Sequence, residues 1–213
     1  MIGAGLFLDL DGTLADSLGV IRTVYDRFLE RFGKIGGDAE FDSLNGPPMA
    51  EVVACLIRNH AINQQVDDAI EIYRGLIAET YSDVAPFAGA EELLRLARSR
   101  AMPVGVVTSN NAALTRKWLR TVGLDALVDD VVGGDDVTRG KPDPEPYLTM
   151  LERTGCKASA SLAVEDSVMG AGAAIAAGIP TLFVAGEKAD APVGIAGLVG
   201  GLYAVADYLR VST

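Results

Sequence analysis

Hydrophobic and polar positions fall into two rhythms along this chain. Short apolar runs that end in polar residues occur at Leu6 to Leu8, Val104 to Val107, Val131 to Val132, Leu162 to Val164 and Thr181 to Val184. Short runs without polar alternation suit strands buried on both faces. Between the later runs the apolar positions repeat at helical spacing: Leu93, Leu94 and Ala97, then Leu114, Trp118, Leu119 and Val122, then Tyr147, Leu148 and Leu151. Strands alternating with helices predict an α/β fold, a doubly wound three-layer core with a parallel sheet covered on both faces.

The interval between the first and second runs breaks this rhythm, since roughly 90 residues lie where a simple crossover needs about a dozen. It reads as helix. Val20, Ile21, Val24, Phe28 and Leu29 make one stripe, with Asp16 or Ser17 as N-cap and a stop near Gly33. Met49, Val52, Val53, Leu56 and Ile57 make a second stripe, and Val66, Ala69, Ile70, Tyr73 and Ile77 a third. These helices predict a small all-helical cap domain over residues 16–83, inserted into an α/β core domain of residues 1–15 and 84–213.

Candidate chemistry gathers where the predicted strands end, which is where open α/β sheets bind their ligands. Asp9 and Asp11 come first, then Thr108, Ser109 and Asn110, then Lys141, then Glu165 and Asp166. Ionised carboxylates at the end of a core strand are costly unless something pairs with them. Mg²⁺, a hard cation that takes oxygen ligands and often completes its shell with phosphate oxygens, would supply that partner.

The segments D-L-D-G-T-L-A-D-S, V-V-T-S-N, G-K-P-D-P and V-E-D-S stand in this order, each at a strand end or in the loop that follows. The ordered set resembles the haloacid dehalogenase superfamily of phosphotransferases, in the branch with a helical cap after the first strand. The resemblance covers the whole chain. It implies a Rossmannoid core, a Mg²⁺ cofactor and a phosphatase acting on a small phosphorylated metabolite. Asp9 would be the nucleophile that forms an aspartyl-phosphate, and Asp11 the general acid and then base. Thr108 would bond a phosphoryl oxygen, helped by backbone amides near Ser109 and Asn110, while Lys141 would neutralise charge on Asp9 and the phosphoryl group. Asp166 would ligate the metal together with the Asp9 carboxylate and the Asp11 main-chain carbonyl, with Glu165 a direct or water-mediated ligand. Gly46 lies in the loop from Leu44 to Met49, which resembles the substrate-selecting G-P-P loop of phosphoglycolate-phosphatase-like members. One departure is Gly170, where a common variant of the family carries an acid.

Other activities on similar scaffolds fit less well. A phosphomutase resembling β-phosphoglucomutase shares the E-D-S motif and the cap, but carries an arginine at the position of Met49. Dehalogenases need neither Asp11 nor the metal acids, and phosphonoacetaldehyde hydrolases usually replace Asp11. A receiver-like signalling protein would lack the cap, and a non-catalytic phospho-ligand binder would be expected to have lost Asp11 or Lys141.

Simpler structural roles are also expected of some residues. Ser109, or Glu165 with Asp166, can cap the helix that follows, and Asp143 can cap one that has Pro144 at its first position. Gly170, Gly172 and Gly178 suggest close packing of a helix on the sheet. His60, Arg58 and Arg74 read as cap residues, and Asp135 and Asp136 as a solvated loop.

Charge and composition narrow the partners. Among 213 residues, 29 acids outweigh 18 Lys and Arg for a net charge of -11, which argues against nucleic-acid and anionic-membrane partners. Cys55 and Cys156 read as buried thiols in a reducing compartment. The N-terminal residues fit neither a signal peptide nor a membrane span, so a cytoplasmic location is expected, as a monomer or weak homo-oligomer.

Overall fold

The computed structural model describes residues 3–44, 47–81, 84–185 and 192–211. Six parallel strands make one sheet: β1 (Leu6–Leu8), β2 (Val104–Val107), β3 (Asp130–Val132), β4 (Leu162–Glu165), β5 (Thr181–Val184) and β6 (Gly197–Val199). Their order is β3-β2-β1-β4-β5-β6, so the direction of winding reverses at β1. Leu6 lies opposite Val104 on one side and Leu162 on the other. That register brings Asp9, just past β1, level with the ends of β2 and β4.

Alternation along the buried strands feeds two cores. Leu6, Leu8, Val104, Val106 and Val164 enter the larger one, whereas Phe7, Val107 and Ala163 enter the other. This is why the strand runs are apolar throughout: both faces are covered.

Helices α1 (Leu18–Arg31), α2 (Asp38–Ser43), α3 (Met49–His60) and α4 (Val66–Thr80) follow β1 in the chain and form a layer over one end of the cleft described below. α4 contacts both α1 and α3, and Phe28 meets Tyr73 edge-on with ring centroids 5.3 Å apart. The remaining helices are α5 (Ala90–Ser99), α6 (Ala112–Thr121), α7 (Glu145–Thr154), α8 (Val168–Ala176) and α9 (Leu202–Val211). α7 and α8 cover the Phe7 face through Tyr147, Met150, Ala173 and Ala174. α5, α6 and α9 add Leu93, Trp118 and Val205 to the larger core. Where the chain leaves β1 for the helices and where it returns, the two passages lie side by side. Asp16 N donates to the Ala85 carbonyl at 2.9 Å and Phe87 N to that of Leu14 at 2.9 Å.

Some expectations change. The capping expected of Asp16 or Ser17 is absent: Ser17 occupies the N-cap position of α1 without a capping bond. Its hydroxyl is buried, beside Asp11 and Tyr81. Asn111, not Ser109, caps α6 by accepting from Leu114 N at 3.1 Å, and Ser167, not Glu165 or Asp166, caps α8 by accepting from Gly170 N at 3.0 Å. Asp143 does accept from Glu145 N, at 2.9 Å, at the start of α7. Cys55 and Cys156 are free but only half-buried. Asp135 and Asp136 are exposed yet structurally engaged, accepting from Ala112 N at 2.8 Å and from Gly133 N at 2.9 Å.

Candidate active site

The strand ends gather four carboxylates and one ammonium in one place. Lys141 Nζ, almost wholly buried, donates to Asp9 Oδ1 at 2.5 Å, to Glu165 Oε1 at 2.6 Å and to the Val107 carbonyl at 2.9 Å. These bonds use all the donors an ammonium has. Glu165 Oε1 also accepts from the Tyr147 hydroxyl at 2.6 Å. Its other oxygen, Oε2, is buried and has no partner among the described residues.

Asp166 Oδ1 accepts from the Thr13 hydroxyl at 3.3 Å, and Asp11 Oδ1 from the Tyr81 hydroxyl at 2.6 Å. Thr108 follows β2 and is buried; its Oγ1 accepts from Asn110 N at 3.0 Å, which leaves its own O–H to donate.

Two glycines make room for this arrangement. Gly12 has φ +84, and a Cβ there would lie 2.0 Å from Asp166 Oδ2. A Cβ on Gly170 would lie 2.0 Å from Glu165 Oε2. The small residue in α8 therefore accommodates a buried acid, where the sequence suggested general packing on the sheet.

One ammonium cannot neutralise four acids, and the proton affinities follow. Burial, then the charge of Asp9, raises Asp11 to about 6, against the lowering effect of Tyr81. Asp166 rises to about 7 for the same two leading reasons. Burial also raises Glu165, to about 8, although Lys141 pulls it down. For Lys141, burial acts to lower the pKa, but Asp9 and Glu165 outweigh it and hold the ammonium above its usual range.

This excess of negative charge is what a bound cation would relieve. Asp9, Glu165 and Asp166 each offer an oxygen, all within 4.8 Å of one another. With the orphaned Glu165 oxygen, that hard-oxygen donor set fits a divalent ion.

Above the acids lies a cleft of about 130 Å³. Asp9, Asp11, Lys141 and Asp166 line it, with Thr108, Ser109 and Asn110. Thus all the site residues expected from the sequence line the cleft except two. Glu165 sits beneath the cleft, and Gly46 lies outside the described residues. Leu44, Pro47 and Met49 from the same loop do line the cleft. Arg58 and Arg74 are exposed and do not line it, Arg74 being paired with Glu71. His60 lies 2.8 Å from Glu40 and is likewise not a lining residue. Sequence reasoning missed Tyr81 and Tyr147. The spacing marks Tyr147 only as a helix-face apolar position, and nothing local to Tyr81 marks its hydroxyl as an Asp11 partner.

The chain matches the family described as "Haloacid dehalogenase-like hydrolase" over residues 6–184. It is 33% identical to the "Validoxylamine A 7'-phosphate phosphatase" of Streptomyces hygroscopicus subsp. limoneus, covering 80% of this chain and 80% of that protein. It is 30% identical to a "Phosphoglycolate phosphatase, plasmid" of Cupriavidus necator, covering 94% and 90% of the two chains. Among solved structures, a "putative beta-phosphoglucomutase" from Thermotoga maritima superposes with a TM-score of 0.79 at 26% identity, covering 99% of this chain and 100% of that one. The chain belongs to the haloacid dehalogenase-like hydrolases, and it is an enzyme of their phosphatase class. No helix among the described residues is long and apolar enough to cross a membrane.

Proposed function

We propose that this chain hydrolyses a small phosphorylated metabolite in a Mg²⁺-dependent reaction through an aspartyl-phosphate on Asp9. The observation that carries the reading is the bond between Asp9 Oδ1 and Lys141 Nζ, which fixes a nearly buried carboxylate at the base of the cleft. In the first step a carboxylate oxygen of Asp9 bonds to phosphorus as the ester P–O bond breaks, and Asp11 gives its proton to the departing alcohol oxygen. A pKa raised to about 6 keeps part of the Asp11 population protonated near neutrality. In the second step water attacks phosphorus, Asp11 takes back a proton, and the Asp9–phosphorus bond breaks to release inorganic phosphate.

Thr108 donates to a phosphoryl oxygen, and the backbone amides near Ser109 and Asn110 support it. Lys141 holds Asp9 oriented and offsets the charge that accumulates beside it. Tyr81 orients Asp11. Asp9 and Asp166, with Glu165 direct or through water, would hold Mg²⁺, whose charge screens the acids from an anionic substrate. Helices α1 to α4 serve as the lid over the cleft and make up the cap domain of residues 16–83; residues 1–15 and 84–213 form the core.

A panel of phosphorylated metabolites assayed with and without Mg²⁺, on wild type and Asp9→Asn, tests this reading. The expected result is phosphate release that needs the metal and falls at least about 10³-fold in the variant. Turnover without metal, or an Asp9→Asn enzyme as active as wild type, overturns it. Interconversion of sugar phosphates without net phosphate release would replace it with a mutase.

A further inference from the structure

The two halves of the cleft differ in chemistry. Opposite the acids, the helical layer supplies Leu18 and Ile21 from α1, Met49 and Val52 from α3, and Tyr73 and Ile77 from α4. Among the described residues, Lys141 is the only cationic side chain lining the cleft, and its donors are already used by Asp9, Glu165 and Val107.

Two basic residues beside the cleft, Arg22 and Arg139, are engaged elsewhere. Arg22 lies over the rings of Tyr25 and Phe41, which line the cleft, but it is paired with Asp26 at 3.0 Å and Asp38 at 2.5 Å and is not itself a lining residue. Arg139 lines a neighbouring depression that shares Thr108 and Lys141, and it is paired with Asp143 and Glu145 at 3.3 and 3.1 Å. The Tyr25 hydroxyl is likewise occupied, donating to Glu40 at 2.6 Å.

A second anionic group pressed against such a wall would lose water and gain no counter-charge. An apolar face placed there would leave water at no electrostatic cost. We propose that the alcohol part of the substrate is uncharged and presents an apolar or aromatic face to this wall. Phosphate esters with a second anionic group are poor substrates. Met49, Ile21 and Ile77 are the specificity-determining residues. This inference rests on the phosphatase reading and adds the class of ester.

The test compares kcat/KM for phenyl phosphate with that for 2-phosphoglycolate and for pyrophosphate, in the full chain with Mg²⁺. The expected preference is for phenyl phosphate by about 10-fold or more, the scale at which apolar pockets discriminate. A wild type that prefers either anionic compound, or hydrolyses one as well as phenyl phosphate, overturns the substrate class and leaves the phosphatase standing. Failure to hydrolyse any phosphorylated compound, including acetyl phosphate, overturns both.

Met49→Arg places a cation in the wall. It should reduce the ratio of the phenyl phosphate to the 2-phosphoglycolate value by about 10-fold or more. Because both values come from one preparation, the ratio does not depend on how much of the variant is folded. An unchanged ratio would refute the assignment of this wall as the selector.

Discussion

The floor and the roof of the cleft follow opposite rules. The floor, built from strand ends, concentrates Asp9, Asp11, Glu165 and Asp166 around Lys141, and most of these groups are held by named partners. The roof, built from α1, α3 and α4, presents chiefly aliphatic and aromatic side chains. The contrast separates two tasks. On the proposed reading, phosphoryl chemistry is fixed by charge at the strand ends, whereas selection among esters falls to a surface that can change without disturbing that charge.

The harshest way to break the contrast is to remove the cation of the floor, Lys141. Lys141→Met should lower kcat by about 10²–10³-fold, because Asp9 loses its orienting partner and its counter-charge. It also leaves Glu165 and Asp9 buried without their ammonium, which should cost on the order of 3–5 kcal/mol, read from urea unfolding. A variant with normal kcat would mean that the floor does not act through Lys141.

The electrostatic crowding of the floor gives a prediction of opposite sign. Asp11, Asp166 and Glu165 have folded-state values of about 6, 7 and 8, above their ordinary 3.8, 3.8 and 4.5. The folded chain therefore binds protons more tightly than the unfolded one. The stability this confers is complete below about pH 4 and is lost as pH rises through about 6 to 8. Within that window the metal-free protein should melt higher at the acidic end. Asp166→Asn should raise Tm at pH 8, by on the order of 1 kcal/mol or a few degrees, while abolishing Mg²⁺-dependent turnover. Added Mg²⁺ should stabilise wild type more at pH 8 than at pH 6, since its ligands must be ionised. Scanning calorimetry across that range would show whether the trend runs the other way.

Gly170→Ala probes the floor from behind. The new Cβ would meet the Glu165 carboxylate, so an overpacking cost of about 1–3 kcal/mol is expected, together with a weaker apparent affinity for Mg²⁺. An Ala variant as stable as wild type and equally responsive to metal would show that Glu165 can shift freely.

Tyr81→Phe should have the mildest effect. Loss of its bond to Asp11 removes an influence that lowers the acid's pKa, so the pH–rate profile should move upward and kcat should fall by no more than about 10-fold. A profile unmoved in pH would detach Tyr81 from the acid.

The sheet was legible in the sequence because strands buried on both faces leave unbroken apolar runs. The charged floor was legible because acids at strand ends are conspicuous against those runs. Two elements left no such mark. α2 has no buried residue and hence no apolar stripe, and β6 is a three-residue edge strand whose central Leu198 is exposed. Hydroxyl partners were hidden for another reason. Tyr147 and Tyr81 occupy positions where an aromatic ring already explains the residue, so the oxygen at its tip adds nothing to the periodicity. Gly170 stands out in the sequence, but its reason depends on Glu165, an atom-level neighbour that spacing does not reveal.

The paired crossings between β1 and the helices have a mechanical consequence. Ala15 and Pro86 are bridged as antiparallel neighbours, so outgoing and returning chain behave as one short ribbon rather than as two independent tethers. A ribbon of that kind resists sliding and yields most easily by twisting about its own length. Asp11 precedes one of its strands and Tyr81 the other, and the Tyr81 hydroxyl joins them by donating to Asp11 at 2.6 Å. On the proposed reading, the proton donor is thereby tied to the same ribbon that carries the roof.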